Sequence, residues 1–152
     1  MQSIILAAGK GSRLHPITVQ RTKAMIPILG KPIVARVMET LLENGLHDFI
    51  LVVSPDDREI MDYFQNETMP GVRTQFVVQP ERRGMADALL RAAPLIHEDF
   101  ILSACDNLVS KEDVGGMLAL WQSTPKPEGV LALMEVPTEK IKSVGIVEVQ
   151  GD

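Results

Sequence analysis

Apolar residues in this chain follow two alternating rhythms. Ser3 to Ala7, Phe49 to Ser54, Gln75 to Gln79 and Phe100 to Ala104 are short β-rich runs, the length of strands. Between the first two, Val34, Val37, Met38, Leu41 and Leu42 recur at helical spacing, which predicts a helix from Pro32 to Asn44. Pro32 suits its first turn and Gly45 its end. The cycle repeats with a helix from a cap at Asp56 or Asp57 to about Phe64 and another from Gly84 to His97. A third cycle pairs a helix capped by Ser110 and ending near Trp121 with a strand from Val130 to Val136. Ile4-Ile5-Leu6 and Ile50-Leu51-Val52-Val53 are apolar without alternation, as strands buried on both faces must be. The expected fold is therefore a three-layer α/β sandwich around a parallel sheet.

Charge divides what this pattern leaves uniform. Lys10, Arg13, Arg21, Lys23, Lys31 and Arg36 give the first 38 residues +6 with no acid, while residues 39–152 carry nine basic and 20 acidic residues. The basic residues cluster about the connection from Ala8 to Lys31, which is too long for an ordinary βα turn, and long loops in compact domains are usually functional. An overall charge of −5 and only six aromatic residues argue against nucleic acid as partner and for a small anionic ligand. With 152 residues and 45% apolar content the chain is expected to form one domain. No apolar run reaches the roughly 18 residues of a membrane span, and the start reads as a strand rather than a signal peptide, so the cytoplasm is the expected compartment. The single cysteine, Cys105, follows an apolar run and reads as a packed thiol.

Gly9 and Gly11 let the backbone turn tightly and aim amide groups at phosphate oxygens. Two familiar phosphate loops do not fit. A dinucleotide fingerprint needs Gly or Ala near position 14 and an acid about 20 residues beyond; here stand Leu14 and an acid-free stretch. A P-loop needs Ser or Thr after Gly30-Lys31 and a Gly at position 25, where the chain has Pro32 and Met25.

Leu6-Ala7-Ala8-Gly9-x-Gly11-x-Arg13-Leu14-x-Pro16-x-Thr18 and Lys23-Ala24-Met25-x-Pro27-x-x-Gly30-Lys31-Pro32-Ile33 resemble the signature of the sugar-phosphate nucleotidyltransferases, the nucleoside diphosphate sugar pyrophosphorylases. The thymidylyl- and uridylyltransferase members are the most similar. The resemblance implies a three-layer α/β/α sandwich with a mostly parallel Rossmann-like sheet, of the nucleotide-diphospho-sugar transferase type. It further implies Mg²⁺ as cofactor and transfer of a nucleoside monophosphate from dTTP or UTP to a sugar 1-phosphate, giving nucleotide sugar and pyrophosphate. A homo-oligomer is compatible with it. Leu6, Ala8, Gly9 and Gly11 would then cradle the nucleotide, Arg13 would hold the departing pyrophosphate and Lys23 would reach toward the α-phosphate. Fixed cations are what such chemistry needs, because transfer at phosphorus asks for charge stabilisation more than covalent help. Lys10, Arg21 and Lys31 contribute to the field, and His15 reads as a packing or capping residue.

Gln79-Pro80-Glu81-Arg82-Arg83-Gly84-Met85-Ala86-Asp87-Ala88 resembles the family's Gln-x4-Gly-x-Ala-x-Ala segment, in which the Gln reads the nucleobase and the Gly opens a helix. Its amide offers one acceptor and two donors, a match for uracil or thymine. The plain alternatives are a polar strand end at Gln79 and an ordinary helix entry at Gly84; Asp87 receives no role. Asp106, after a strand, is similar to the family's metal-binding Asp, against which stands a simple turn or cap at Asp106-Asn107. Val144-Gly145-Ile146-Val147 resembles the segment that touches the sugar, with Gly145 in the binding position. The resemblance covers residues 1–152 but only the nucleotide-binding portion of the family pattern, as if the chain stopped before the sugar-phosphate half. Two other functions are consistent with these residues: a guanylyl- or cytidylyltransferase of the same superfamily, and a non-catalytic nucleotide-binding or regulatory module.

Overall fold

A computed structural model describes residues 1–19, 21–66 and 70–148, and divides the chain into two units, Met1–Gly115 and Gly116–Asp152. In the first unit, strand β1 (Gln2–Leu6) is followed by a short hairpin, β2 (Pro27–Ile28) and β3 (Lys31–Pro32). Helix α1 (Ile33–Leu42), strand β4 (Asp48–Val53), helix α2 (Arg58–Asn66) and strand β5 (Arg73–Val78) come next. Helix α3 (Met85–Ala92), strand β6 (Phe100–Ala104) and helix α4 (Lys111–Ser123) complete the order, α4 beginning in this unit.

The four long strands form one parallel sheet in the order β5-β4-β1-β6. The chain moves outward from β1 through β4 to β5, then crosses back to lay β6 on the other side of β1. That reversal beside β1 is where open α/β sheets leave a crevice at their carboxyl ends. Ile4, Ile5 and Phe49 to Val53 have no exposed surface, so both faces of the central strands are covered, as their unbroken apolar runs require. On one face, Ile4, Leu6, Ile50 and Val52 pack with Ala88 and Ala92 of α3. Alanine at both positions lets α3 lie close to the sheet, which carries its N-terminus to the strand ends.

The sequence-derived elements recur with shifted ends. Gly45 adopts φ +81° and closes α1 in a Schellman motif, Leu46 N–H donating to Leu41 C=O and Gly45 N–H to Leu42 C=O. Ser110 caps α4 through its Oγ, which accepts from the Asp113 amide at 3.1 Å and donates to the Asp113 carboxylate. The helix from Gly84 ends at Ala92 and tightens into a 3₁₀ turn over Ala93–Leu95, because Pro94 has no N–H to continue the ladder. Asp57 does not cap α2 with its side chain; its carboxylate turns back to accept from the Ser54 N–H and hydroxyl, both at 2.7 Å.

The second unit holds the remainder of α4 and a 3₁₀ turn at Thr138–Ser143. The strand expected from Val130 to Val136 is not formed, and Leu131, Leu133 and Met134 are exposed. Strand preference measures fit to a paired, half-buried surface, and among the described residues no ladder is offered to this segment. No helix among the described residues is long and apolar enough to cross a membrane.

Candidate functional site

Three backbone bonds continue the sheet past its strands and deliver the predicted residues to one edge. Ala7 N–H donates to Val52 C=O, Cys105 N–H to Leu6 C=O and Gln79 N–H to Val53 C=O, at 2.7, 3.0 and 2.8 Å. Around these ends lies an open cleft of about 460 Å³, within the usual range for a small-molecule site. Leu6, Ala8, Gly9, Gly11, Arg13, Lys23, Gln79, Gly84 and Asp106 all line it. Gly145 belongs to the second unit, in irregular chain after the 3₁₀ turn, and the cleft is formed by the first.

The long connection after β1 is ordered by its own bonds rather than by regular structure. Gly11 has φ +63°, and its carbonyl accepts from the Leu14 N–H and the Thr18 hydroxyl, both at 2.9 Å. A Cβ on Gly11 would meet the Lys23 Cβ at 2.8 Å and the Thr18 Cγ2 at 3.0 Å, so glycine is required by both conformation and space. Gly9 is different: a Cβ there would point into open space, and its backbone needs no left-handed conformation. The expectation of a tight turn at both glycines thus holds at Gly11, while Gly9 offers only an unobstructed approach.

The six cations of this region are not equivalent. Arg21 pairs with Glu59 at 2.9 Å, Lys31 with Glu39, and Arg36 donates to the Ile28 carbonyl of the β2–β3 hairpin. Lys23 pairs with Asp106, 83 residues away in sequence. Lys10 and Arg13 line the cleft and make no hydrogen bond or ion pair with the described residues. The positive field left for a ligand therefore comes chiefly from Lys10 and Arg13, with Lys23 held in reserve on a carboxylate.

Asp106 has the hard oxygen chemistry of a divalent-cation ligand, and the cation that rests on it here is the Lys23 ammonium. Among the described residues it belongs to no cluster of three potential metal ligands. A magnesium ion at Asp106 would draw its other oxygens from phosphates and water, the usual manner for Mg²⁺. Beside it, Cys105 is buried, and burial first and the Asp106 carboxylate second push its thiol up to about 12. It stays protonated at neutral pH and is no nucleophile.

The Gln79 amide is already half engaged. Its Nε2 donates to the Gly84 carbonyl at 3.1 Å and to the Asp87 carboxylate at 2.8 Å, so the two donors expected to face a base are spent and the acceptor Oε1 remains. Gly84, at φ +97° and ψ 178°, takes a backbone shape reserved for glycine and turns the chain from β5 into α3, which sets Asp87 opposite Gln79. The Gln79 hydrogen bond holds the Asp87 carboxyl below its usual value, with Arg91 and Arg83 acting in the same direction. Arg82 is a second residue without a sequence signal. It donates from Nε to the Ala8 carbonyl at 2.9 Å and from Nη2 to Ser54 Oγ at 3.1 Å, tying the turn after β5 to the loop after β1. In a run of Glu81-Arg82-Arg83 such a residue reads as solvated charge; only the folded chain shows its partners.

Comparison with known proteins gives the family and the fold. The nucleotidyl transferase family model matches residues 2–152, and the chain belongs to that family. It is 40% identical over 102 residues to the bifunctional protein GlmU of Methanococcus maripaludis, a match covering 67% of this chain and 24% of that protein. It is 37% identical over 108 residues to the UTP–glucose-1-phosphate uridylyltransferase AglF of Haloferax volcanii, covering 71% of this chain and 44% of that protein. The chain thus spans less than half the length of these curated relatives. Among solved structures, the UDP-glucose pyrophosphorylase from Acinetobacter baumanii superposes with a TM-score of 0.74 at 24% identity, over 81% of this chain and 53% of that one, which is a likeness of fold.

Proposed function

We propose that this chain is the nucleotide-binding part of a sugar-1-phosphate nucleotidyltransferase that uses UTP or dTTP. The observation that carries the reading is the meeting, in one cleft at the strand ends, of the Gly11 loop, unpaired Arg13, the Lys23–Asp106 pair and the buried Gln79 amide. In this reaction an oxygen of the sugar 1-phosphate attacks the α-phosphorus of the triphosphate. The bond to the bridging oxygen breaks, and pyrophosphate leaves with that electron pair. Arg13 would offset charge on the departing pyrophosphate, and Lys23 would turn from Asp106 toward the α-phosphate oxygens, where charge gathers. Asp106 would hold Mg²⁺, whose contribution is charge neutralisation on the phosphates. Gly145 and its neighbours are proposed to meet the sugar, in the cytoplasm, where sugar nucleotides for biosynthesis are made.

Titrating the chain with UTP and with dTTP in Mg²⁺, then adding a panel of sugar 1-phosphates and following pyrophosphate, tests this. Saturable binding that Arg13→Ala weakens, with weak or no pyrophosphate release from this chain, is the expected result. Pyrophosphate release with a mixture of sugar 1-phosphates rules out the non-catalytic module, and a preference for GTP or CTP favours the guanylyl or cytidylyl alternative. Failure to bind any nucleoside triphosphate overturns the reading.

A further inference from the structure

We infer that Asp87 is the positioning residue that sets base preference, by fixing which end of the Gln79 amide a nucleotide meets. This rests on the proposal that Gln79 faces the base. A carboxamide can turn by half a rotation at little cost, exchanging its oxygen for its NH₂, and a base-reading amide free to do so would accept either a ring N–H or a bare ring nitrogen. Gln79 is not free. Both groups against its Nε2, the Gly84 carbonyl and the Asp87 carboxylate, can only accept, so the nitrogen must face them whatever the ligand. Asp87 is itself held on its second oxygen by Arg91, one turn along α3. Its ionisation is favoured by the Gln79 bond and by both Arg91 and Arg83, so it does not become a donor near neutral pH.

A fixed Oε1 accepts from a ring N–H. Uracil and thymine present one at N3, and cytosine presents a bare nitrogen at the same place. The discrimination is therefore between N–H and bare-nitrogen bases rather than between pyrimidines and purines. Guanine, with its own ring N–H, would have to be excluded by the size of the cleft and not by this amide. An acceptor facing a bare nitrogen leaves both unpaired, which amounts to a preference of about tenfold or more for UTP over CTP.

The test uses competition binding of UTP, dTTP and CTP to the wild-type chain, Asp87→Asn and Asp87→Glu, with the Gln79 side-chain amide followed by ¹⁵N NMR without nucleotide. In Asp87→Asn the new amide can donate to Oε1, leaving the longer bond to the Gly84 carbonyl as the one contact that still favours the original orientation, so the UTP to CTP ratio is expected to fall to within about threefold. Asp87→Glu should restore it, and the Gln79 NH₂ resonances should shift and lose protection only in Asp87→Asn. A loss of affinity common to all three nucleotides with an unchanged ratio would show a merely structural role and overturn the inference. So would Gln79 resonances that ignore the substitution. If the wild-type chain binds no nucleotide, the functional reading fails, while the NMR comparison still decides whether Asp87 holds the amide.

Discussion

The two edges of this sheet are finished in opposite ways. At the amino edge, polar groups close on each other. The Met1 ammonium meets Glu98 at 2.6 Å, and Gln2, fully buried, donates to Asp48 and the Leu95 carbonyl and accepts from the His97 amide. Arg73 and His97 face the same Asp48 carboxylate at 4.0 and 3.9 Å, while the Asp48 Oδ1 and the neighbouring Ser3 Oγ are buried without a partner. At the carboxyl edge, Lys10, Arg13 and the Gln79 acceptor are left without partners among the described residues, and the Lys23–Asp106 pair joins groups that suit phosphate and metal. The same strands supply both edges. One closes its polar groups on each other, and the other, though bonded at Gln79, Arg82 and Asp57, leaves two cations and an amide acceptor open.

Three substitutions and one labelling test would break or sharpen that contrast. The largest effect is expected from Arg13→Ala, which should lower turnover in the proposed nucleotidyl transfer by about 10²- to 10³-fold, the usual loss for one donor to transition-state charge, with the unfolding transition unmoved. A wild-type kcat would make Arg13 an ordinary surface cation. Next comes Gln2→Ala at the opposite edge. It removes a fully buried side chain and leaves its three part-buried partners without their bonds, and should cost about 2–4 kcal/mol in urea unfolding while leaving nucleotide affinity alone. If nucleotide binding falls with stability, the edges are not independent. Asp106→Ala should raise the Mg²⁺ concentration needed for nucleotide binding by about tenfold without weakening the fold, since this side chain is exposed and its partner Lys23 keeps partial contact with solvent. Unchanged metal dependence would return Asp106 to a turn residue.

The smallest effect concerns Cys105. Its thiol, ordinarily near 9, is raised to about 12, so the folded state binds a proton that the unfolded state releases first. Its stabilising contribution is complete below the unfolded value and is lost as pH rises from 9 toward 12. Near neutral pH the thiol should therefore resist a disulfide reagent until the chain is unfolded with urea, and rapid labelling of the folded chain would contradict the burial.

Much of this contrast was legible in the chain and some was not. The buried strands, the basic connection and Asp106 could be read because each leaves a local mark: an unbroken apolar run, an acid-free stretch, a carboxylate after a strand. The segment from Val130 to Val136 has the same local mark and forms no strand, since a ladder needs a partner that periodicity does not name. Asp87 and Arg82 failed in the other direction. Nothing near them in sequence announces that one pins an amide eight residues back and the other grips a carbonyl 74 residues back. Those roles arise when Gly84 turns the chain and the sheet register brings three loops together.

One close approach ties two of these features into a single unit of heredity. Because Gly11 leaves no room for a Cβ beside that of Lys23, no residue but glycine at position 11 spares the lysine from displacement. Truncating Lys23 to alanine keeps the obstructing carbon; glycine at position 23 would remove it at the loss of the ammonium, and would still leave the Thr18 methyl at 3.0 Å and the left-handed backbone. A lineage could therefore not exchange a bulkier loop for a compensating change at its neighbour and keep the cation. A defect that maps to the glycine would behave, in a double-mutant cycle, as a defect of the lysine.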